Sequence, residues 1–161
     1  IQQVLAGRNV IVARTFSKAQ GLAGLRLGYG IAHPELIQYL ARVKVVFSVS
    51  SIAEAAGLAA MRDGAHIQKT LRNNAEGAMY LAQKLTELGF QVLPTWANFI
   101  YVDVAEDCMA VAKRLQSECV IVRPLANWGA PRAIRVSIGK PEENEQFLAA
   151  MKKTMPACAR G

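Results

Sequence analysis

The stretch from Arg14 to Gly30 limits what this chain can fold into more than any other part of the sequence. An apolar run at residues 10–13 precedes it, and a shorter apolar run at residues 31–32 follows it. Between these runs, glycine recurs at positions 21, 24, 28 and 30. Glycine is used where a turn needs a positive φ or where another group must approach the backbone closely. The pattern therefore predicts a strand, a glycine-rich loop and a second strand.

The same stretch contains the side chains that a small anionic ligand would need. Lys18 and Arg26 supply cationic groups, and Thr15 and Ser17 supply hydroxyl groups. All of these groups can donate hydrogen bonds to one anion. A lone lysine is usually a solvated surface charge, so the interpretation depends on the whole motif and not on Lys18 alone.

From Arg14 to Tyr29 the sequence reads RTFSKAQGLAGLRLGY. It resembles the cofactor-lysine segment of the class I/II aminotransferases, which are pyridoxal 5'-phosphate (PLP) enzymes of fold type I. Within them it is most similar to the histidinol-phosphate aminotransferases. The resemblance implies that Lys18 forms a Schiff base with the cofactor aldehyde and then moves the substrate proton. It also implies that Ser17 and Arg26 bind the cofactor phosphate.

Three later segments extend the resemblance. IRVSIG at residues 134–139 resembles the strand with the family's substrate-anion arginine, which implies that Arg135 binds the substrate phosphate. VIVRP at residues 120–124 implies that Arg123 joins it, and ANF at residues 97–99 implies that Asn98 holds Arg135 or approaches the ligand. From the residues alone, an exposed strand arginine and an asparagine that satisfies a turn remain alternatives.

Apolar spacing along the rest of the chain predicts an α/β fold. Residues 9–14 read as a buried parallel strand, and the spacing predicts a helix at residues 34–42, an alanine-rich helix at 52–62 and a long helix at 65–88. Short strands are predicted at residues 119–122 and 132–138, the latter with Arg135 opposite the apolar face. His33 and His66 are interpreted as structural.

The predicted elements form two domains, with the boundary at the Asp63–Gly64 break. Residues 1–64 would be the C-terminal part of a large PLP-binding α/β domain. Residues 65–161 would be a small α+β domain of about four strands and three helices. The resemblance implies the same division, namely the C-terminal part of a fold type I PLP-dependent transferase.

Composition argues against several other classes of protein. The formal net charge is +7, but the basic residues are scattered and not interleaved with aromatic ones, which argues against a nucleic-acid-binding domain. Cys108, Cys119 and Cys158 form neither a paired framework nor a metal-binding spacing, so we expect a cytoplasmic protein without a metal. No apolar run approaches the length of a membrane span, so we expect no membrane partner.

The resemblance implies a homodimeric enzyme of histidine biosynthesis that moves an amino group between L-histidinol phosphate and 2-oxoglutarate or glutamate. In this family, the carboxylate at the cofactor's ring nitrogen, the stacked aromatic ring and further phosphate ligands precede the lysine or come from the partner subunit. None of them has a match here, so we expect a fragment that is inactive alone. The alternatives are an aromatic aminotransferase or a threonine-phosphate decarboxylase of the same fold, and a non-catalytic anion-binding fragment.

Overall fold

The computed structural model describes residues 1–155, and the chain divides into two compact units, Ile1–Thr70 and Leu71–Gly161. The domain boundary predicted at the Asp63–Gly64 break remains a prediction. The first unit contains the elements α1 (Gln2–Leu5), β1 (Val12–Thr15), β2 (Gly28–Ile31), α2 (Pro34–Val43) and α3 (Ser51–Arg62). Helix α4 (Gly64–Glu87) begins in the first unit and continues into the second.

Strands β1 and β2 form an antiparallel pair, with Val12 opposite Ile31 and Thr15 opposite Gly28. The prediction of a buried parallel strand is therefore wrong for this pair, because residues 16–27 reverse the direction of the chain between the two strands. Most of β1 is also exposed. The glycine prediction is confirmed at Gly28, where a Cβ atom would lie 2.7 Å from the carbonyl oxygen of Arg14.

The two helices that follow begin where the local sequence favours a helix start. Pro34 occupies the first turn of α2, where its missing N–H has no partner to lose. The hydroxyl of Ser50 accepts a hydrogen bond from the Ala53 amide at 3.2 Å and so caps α3. Both starts lie within one residue of the predicted helices at residues 34–42 and 52–62.

The second unit is a four-stranded antiparallel sheet covered on one face by helices. It contains β3 (Gln91–Leu93), β4 (Phe99–Asp103), α5 (Cys108–Ser117), β5 (Arg123–Pro124), β6 (Ala133–Ser137) and α6 (Pro141–Thr154), with the strand order β3-β4-β6-β5. With α4, these elements match the predicted strand and helix counts. The strand predicted at residues 119–122 is wrong, because the residues that pair with β6 are Arg123 and Pro124.

Alternation along the central strands separates the core of the second unit from its open face. Ile100 and Val102 of β4 and Ile134 and Val136 of β6 are buried against apolar residues of the three helices. These helix residues include Leu81, Leu85, Val111, Leu115, Phe147 and Met151. The other face of the same strands presents Phe99, Tyr101 and Arg135, which are only half-buried. Arg135 therefore lies on a well-packed central strand, and Asn98 directly precedes the neighbouring strand β4.

Within residues 1–155, no helix is both long and apolar enough to cross a membrane. Cys108 is buried and Cys119 is exposed, and both are free thiols. Cys158 lies outside the described residues. In the part of the chain that the structure describes, no three His, Cys, Asp or Glu side chains are grouped so that they could hold a metal ion.

Candidate functional site

The lysine loop, which we define as residues 16–27, closes one end of the β1–β2 pair. The Phe16 amide donates to the Leu27 carbonyl oxygen at 3.1 Å, directly beyond the last paired residues of the two strands. Ser17 and Arg26 are the next residues on the two sides, so both leave the hairpin at the same end. Lys18 follows Ser17 immediately. The backbone therefore brings the three predicted cofactor residues to one short loop.

Local hydrogen bonds fold the first half of the loop into a compact turn. The Gly21 amide donates to the Lys18 carbonyl oxygen at 2.9 Å, and the Leu22 amide donates to the Phe16 carbonyl oxygen at 2.9 Å. The Ser17 amide donates to Thr15 Oγ1 at 3.0 Å. Gly21 has a φ of +72°, a value that favours glycine. Thr15 Oγ1 thus accepts from the loop backbone, and its O–H group can still donate to a ligand.

A buried aromatic residue anchors the loop, whereas the lysine itself stays accessible. Phe16 is only 4% exposed, and its ring centroid lies 5.8 Å from that of Tyr29 on β2. Lys18 is exposed and Ser17 is half-buried. Phe16 is therefore fixed by packing, and the Lys18 amine can reach a ligand without disturbing that packing.

Arg26 adopts a backbone conformation that is costly for any residue with a side chain. Its φ is +54°, in the left-handed region, and its Nη1 atom donates to the Ala23 carbonyl oxygen at 2.7 Å. Such a conformation costs on the order of 1–3 kcal/mol and is concentrated at ligand sites. The remaining guanidinium N–H groups are free of protein partners among residues 1–155, so they are available to an anion.

The donor set of the loop fits a ligand that contains both a phosphate and an aldehyde. Within the described residues, no carboxylate forms an ion pair with Lys18 or Arg26. The loop therefore offers an amine, a guanidinium and the Ser17 hydroxyl with no internal acid that competes for them. An amine can bond covalently to an aldehyde, and the other two groups suit a phosphate.

One histidine outside the predicted site contacts the loop. His66 Nε2, in the first turns of α4, donates to the Ala19 carbonyl oxygen at 3.1 Å, one residue after Lys18. Among the described residues, this is the one hydrogen bond that joins residues 16–22 to an element other than β1 or the lysine loop itself. Sequence reasoning treated His66 as structural, and no motif signals its contact with Ala19.

Replacing His66 with leucine is expected to raise the amide exchange rates of residues 17–22 about fivefold to tenfold. A hydrogen bond of this kind contributes about 1 kcal/mol net, and its loss lowers the cost of opening the turn. Hydrogen exchange followed by mass spectrometry would measure the change. His66→Gln should keep most of the protection, because the amide nitrogen can still donate. His33→Leu is the matched control, and an equal effect there would contradict the assignment.

The second group of predicted residues lies on the open face of the four-stranded sheet. Arg123 on β5 and Arg135 on β6 are direct cross-strand partners. With Ser137 they line an open depression of about 420 Å³. Among residues 1–155 neither guanidinium forms an ion pair with a carboxylate. Like charges placed opposite each other on a sheet repel, so this pair favours binding of an anion.

Asn98 and Arg135 are not joined by a side-chain hydrogen bond in the described structure. The Asn98 carbonyl oxygen instead accepts from the Ile138 amide at 3.0 Å, which ties the start of β4 to the end of β6. Contact between Asn98 and a ligand stays a prediction. The residue that does contact Arg135 is Phe99, whose ring centroid lies 5.0 Å from Arg135 Cζ. Strand alternation could have found it, because Phe99 and Tyr101 share a face.

The sequence matches the model of the family "Aminotransferase class I and II" over residues 1–151. The match covers most of the chain and contains both the lysine loop and the arginine pair. The chain therefore belongs to the class I and II aminotransferase family.

Two similar curated proteins are both named histidinol-phosphate aminotransferase. A histidinol-phosphate aminotransferase of Nitratidesulfovibrio vulgaris (strain DP4) is 49% identical over 148 residues, which are 92% of this chain and 40% of that protein. One from Moorella thermoacetica is 45% identical over 153 residues, or 94% of this chain and 40% of that protein. The chain thus spans about 40% of the length of the curated relatives that it matches.

Solved structures show the same fold. The histidinol-phosphate aminotransferase of Sinorhizobium meliloti, in complex with pyridoxal-5'-phosphate, has a TM-score of 0.82 and 32% sequence identity. The match covers 91% of this chain and 41% of that one. The enzyme of the same name from Clostridium acetobutylicum has a TM-score of 0.88 at 21% identity, over 94% of this chain and 47% of that one. At that identity the likeness shows the fold alone, and this fold is that of fold type I aminotransferases.

Proposed function

We propose that this chain is the cofactor-lysine portion of a PLP-dependent aminotransferase that acts on L-histidinol phosphate. The observation that carries the proposal is the lysine loop, which presents an accessible amine beside a hydroxyl and a guanidinium that has no carboxylate partner among the described residues. The names of the relatives and the PLP bound to the Sinorhizobium meliloti enzyme support it. The amino group would pass to 2-oxoglutarate, giving glutamate and the ketone of the donor.

Three residues of the lysine loop have defined tasks in this proposal. Ser17 and Arg26 hold the cofactor phosphate by hydrogen bonds, the second of them charge-assisted. The Lys18 amine would hold the cofactor covalently, and as a free amine it would move the proton from the substrate Cα to the cofactor. PLP, when bound, supplies an electron-withdrawing ring that makes this proton acidic.

Arg135 and Arg123 are proposed to bind the phosphate of the substrate. Their cross-strand pairing gives two guanidinium forks on one face of a rigid sheet, and a phosphate can accept from both. Asn98, at the start of the neighbouring strand, is a third candidate for contact with the substrate. This arrangement favours a phosphorylated amino donor over an aromatic amino acid that offers only one small carboxylate.

The proposed catalysis needs further groups that have no match in this sequence. The proposed enzyme needs a carboxylate at the cofactor ring nitrogen and a stacked aromatic ring, and the family resemblance assigns them to other parts of a homodimer. We also place the enzyme in the cytoplasm, in line with the free thiols of Cys108 and Cys119. The proposal involves only small-molecule substrates, with no nucleic acid and no membrane.

The 161 residues alone are expected to transaminate L-histidinol phosphate at no more than background rate, because half of the proposed site is missing. A longer chain that contains this sequence and aligns over the full length of the relatives should be active. The assay is glutamate formation from 2-oxoglutarate, with unphosphorylated L-histidinol as the matched donor. Normal turnover by the 161 residues would contradict the first expectation.

The same assay separates the proposed substrate from its alternatives. A strong preference for L-histidinol phosphate over L-histidinol and over aromatic amino acids would support the proposal. Release of carbon dioxide from threonine phosphate without transamination would identify a decarboxylase of the same fold. An inactive longer chain that binds phosphate would instead favour the non-catalytic anion-binding alternative.

A further inference from the structure

The guanidinium of Arg135 lies over the face of an aromatic ring and not against an acid. Arg135 Cζ is 5.0 Å from the ring centroid of Phe99. The two residues belong to neighbouring strands, in which Phe99 is opposite Ser137 and Tyr101 is opposite Arg135. Phe99 is thus the diagonal neighbour of Arg135 on the same face, which is within reach of a long side chain.

The backbone that presents this ring is held on both sides. Thr95 Oγ1 donates to the Phe99 carbonyl oxygen at 2.8 Å and accepts from the Ala97 amide at 3.1 Å. The Ile138 amide donates to the Asn98 carbonyl oxygen at 3.0 Å. The turn before β4 and the end of β6 therefore fix the position of Phe99 independently of Arg135.

A ring in this position orients a cation without neutralising it. An arginine side chain has a large rotamer entropy, much of which is lost when it binds a ligand in one geometry. A carboxylate partner would restrain Arg135 as well, but it would compete with an incoming anion. The aromatic face attracts the guanidinium and leaves the N–H groups at its edge free to donate.

We propose that Phe99 is a positioning residue that holds the Arg135 guanidinium in the orientation that binds the substrate phosphate. The inference rests on the proposed role of Arg135 in anion binding. Phe99 itself makes no hydrogen bond to the anion, and its effect passes entirely through Arg135.

Titration of the 161-residue chain with inorganic phosphate, followed by NMR, tests this role. Phe99→Leu should weaken phosphate binding about fivefold, which corresponds to a cation–π contribution of about 1 kcal/mol. Phe99→Tyr should restore the affinity to within about twofold, because it keeps the aromatic face. Tyr101→Leu is the matched control, since Tyr101 is on the same strand and face and directly opposite Arg135, whereas among the described residues the guanidinium lies over the ring of Phe99 and not over that of Tyr101.

A double-mutant cycle with Arg135→Gln separates positioning from general support of the sheet. Phe99→Leu should cause no further loss of phosphate affinity when Arg135 is already replaced. An equal loss in both backgrounds, or an affinity for Phe99→Leu equal to that of the parent chain, would overturn the inference. If Arg135→Gln weakens binding and Phe99→Leu does not, the inference alone fails. If Arg135→Gln leaves phosphate binding unchanged, the proposed role of Arg135 fails together with it.

Discussion

Replacing Lys18 with alanine is expected to abolish the saturable, borohydride-reducible binding of PLP to this chain. Lys18 is the sole lysine in the first 43 residues and the one amine within the lysine loop. The loop can still offer Ser17 and Arg26 to the phosphate, so weak, reversible binding should remain. A PLP titration followed by visible absorbance, before and after borohydride reduction, separates covalent from reversible binding.

Two matched variants make this prediction specific to the lysine loop. Lys44→Ala removes the next lysine along the chain and should leave the saturable component unchanged. Ser17→Ala should weaken the apparent PLP affinity about tenfold, since it removes one hydroxyl donor from a charged acceptor. Equal reducible binding in Lys18→Ala and the parent chain would show that another amine is responsible and would remove the basis of the proposed site.

Replacing Arg135 with glutamine is expected to weaken the binding of inorganic phosphate by about tenfold to a hundredfold. Hydrogen bonds to charged groups contribute about 1.5–3 kcal/mol, and a guanidinium can supply two of them to one phosphate. Arg123→Gln should cost less, because Arg123 is more exposed than the half-buried Arg135. Isothermal titration calorimetry at constant ionic strength would measure both losses.

Arg132 supplies the control for the loss of one positive charge. It lies beside β6 and forms an ion pair with Asp103 at 3.8 Å, so it already has an acidic partner. Arg132→Gln changes the net charge by the same amount as Arg135→Gln and should change phosphate affinity less than twofold or so. Comparable losses of affinity in both variants would mean that phosphate binding depends on the total charge of the chain. Arg123 and Arg135 would then no longer be assigned as the phosphate site.

Much of the second unit was predictable because its sequence pattern and its packing agree. Alternation in residues 132–138 placed Ile134 and Val136 on one face and Arg135 on the other, and the structure buries the first two. The long helical pattern at residues 65–88 also corresponds closely to α4. In both cases a single periodicity is enough to predict the element, because apolar residues such as Leu81, Leu85 and Ile134 pack into one core of the second unit, although Leu71 of α4 stays exposed.

Burial in the first unit was harder to predict, since it depends on neighbours that a local pattern does not specify. The spacing of apolar residues in α2 correctly predicted a helix, yet none of its residues is buried. The β-branched run before the lysine loop was read as a buried parallel strand, but it is an exposed antiparallel one. A β-branched run favours a strand and gives no direct information about the direction of its partner.

The candidate site shows the same division between what motifs specify and what tertiary structure adds. The lysine loop and both arginines were found from motifs, which name residue types at fixed spacing. The pairing of Arg123 with Arg135 follows from sheet register, which the sequence of either strand alone does not give. The contacts of His66 with Ala19 and of Phe99 with Arg135 join distant parts of the chain, and neither has a local signal as specific as a motif.

Peptide mapping after PLP binding and borohydride reduction tests the central claim most directly. The 161-residue chain would be incubated with PLP near the midpoint of its titration, reduced, digested and analysed by mass spectrometry. The account predicts that the reduced cofactor is attached to Lys18, with little label on the other lysines. Label spread over many lysines, or label that saturates at another lysine while Lys18 stays free, would contradict the assignment of the lysine loop as the cofactor site.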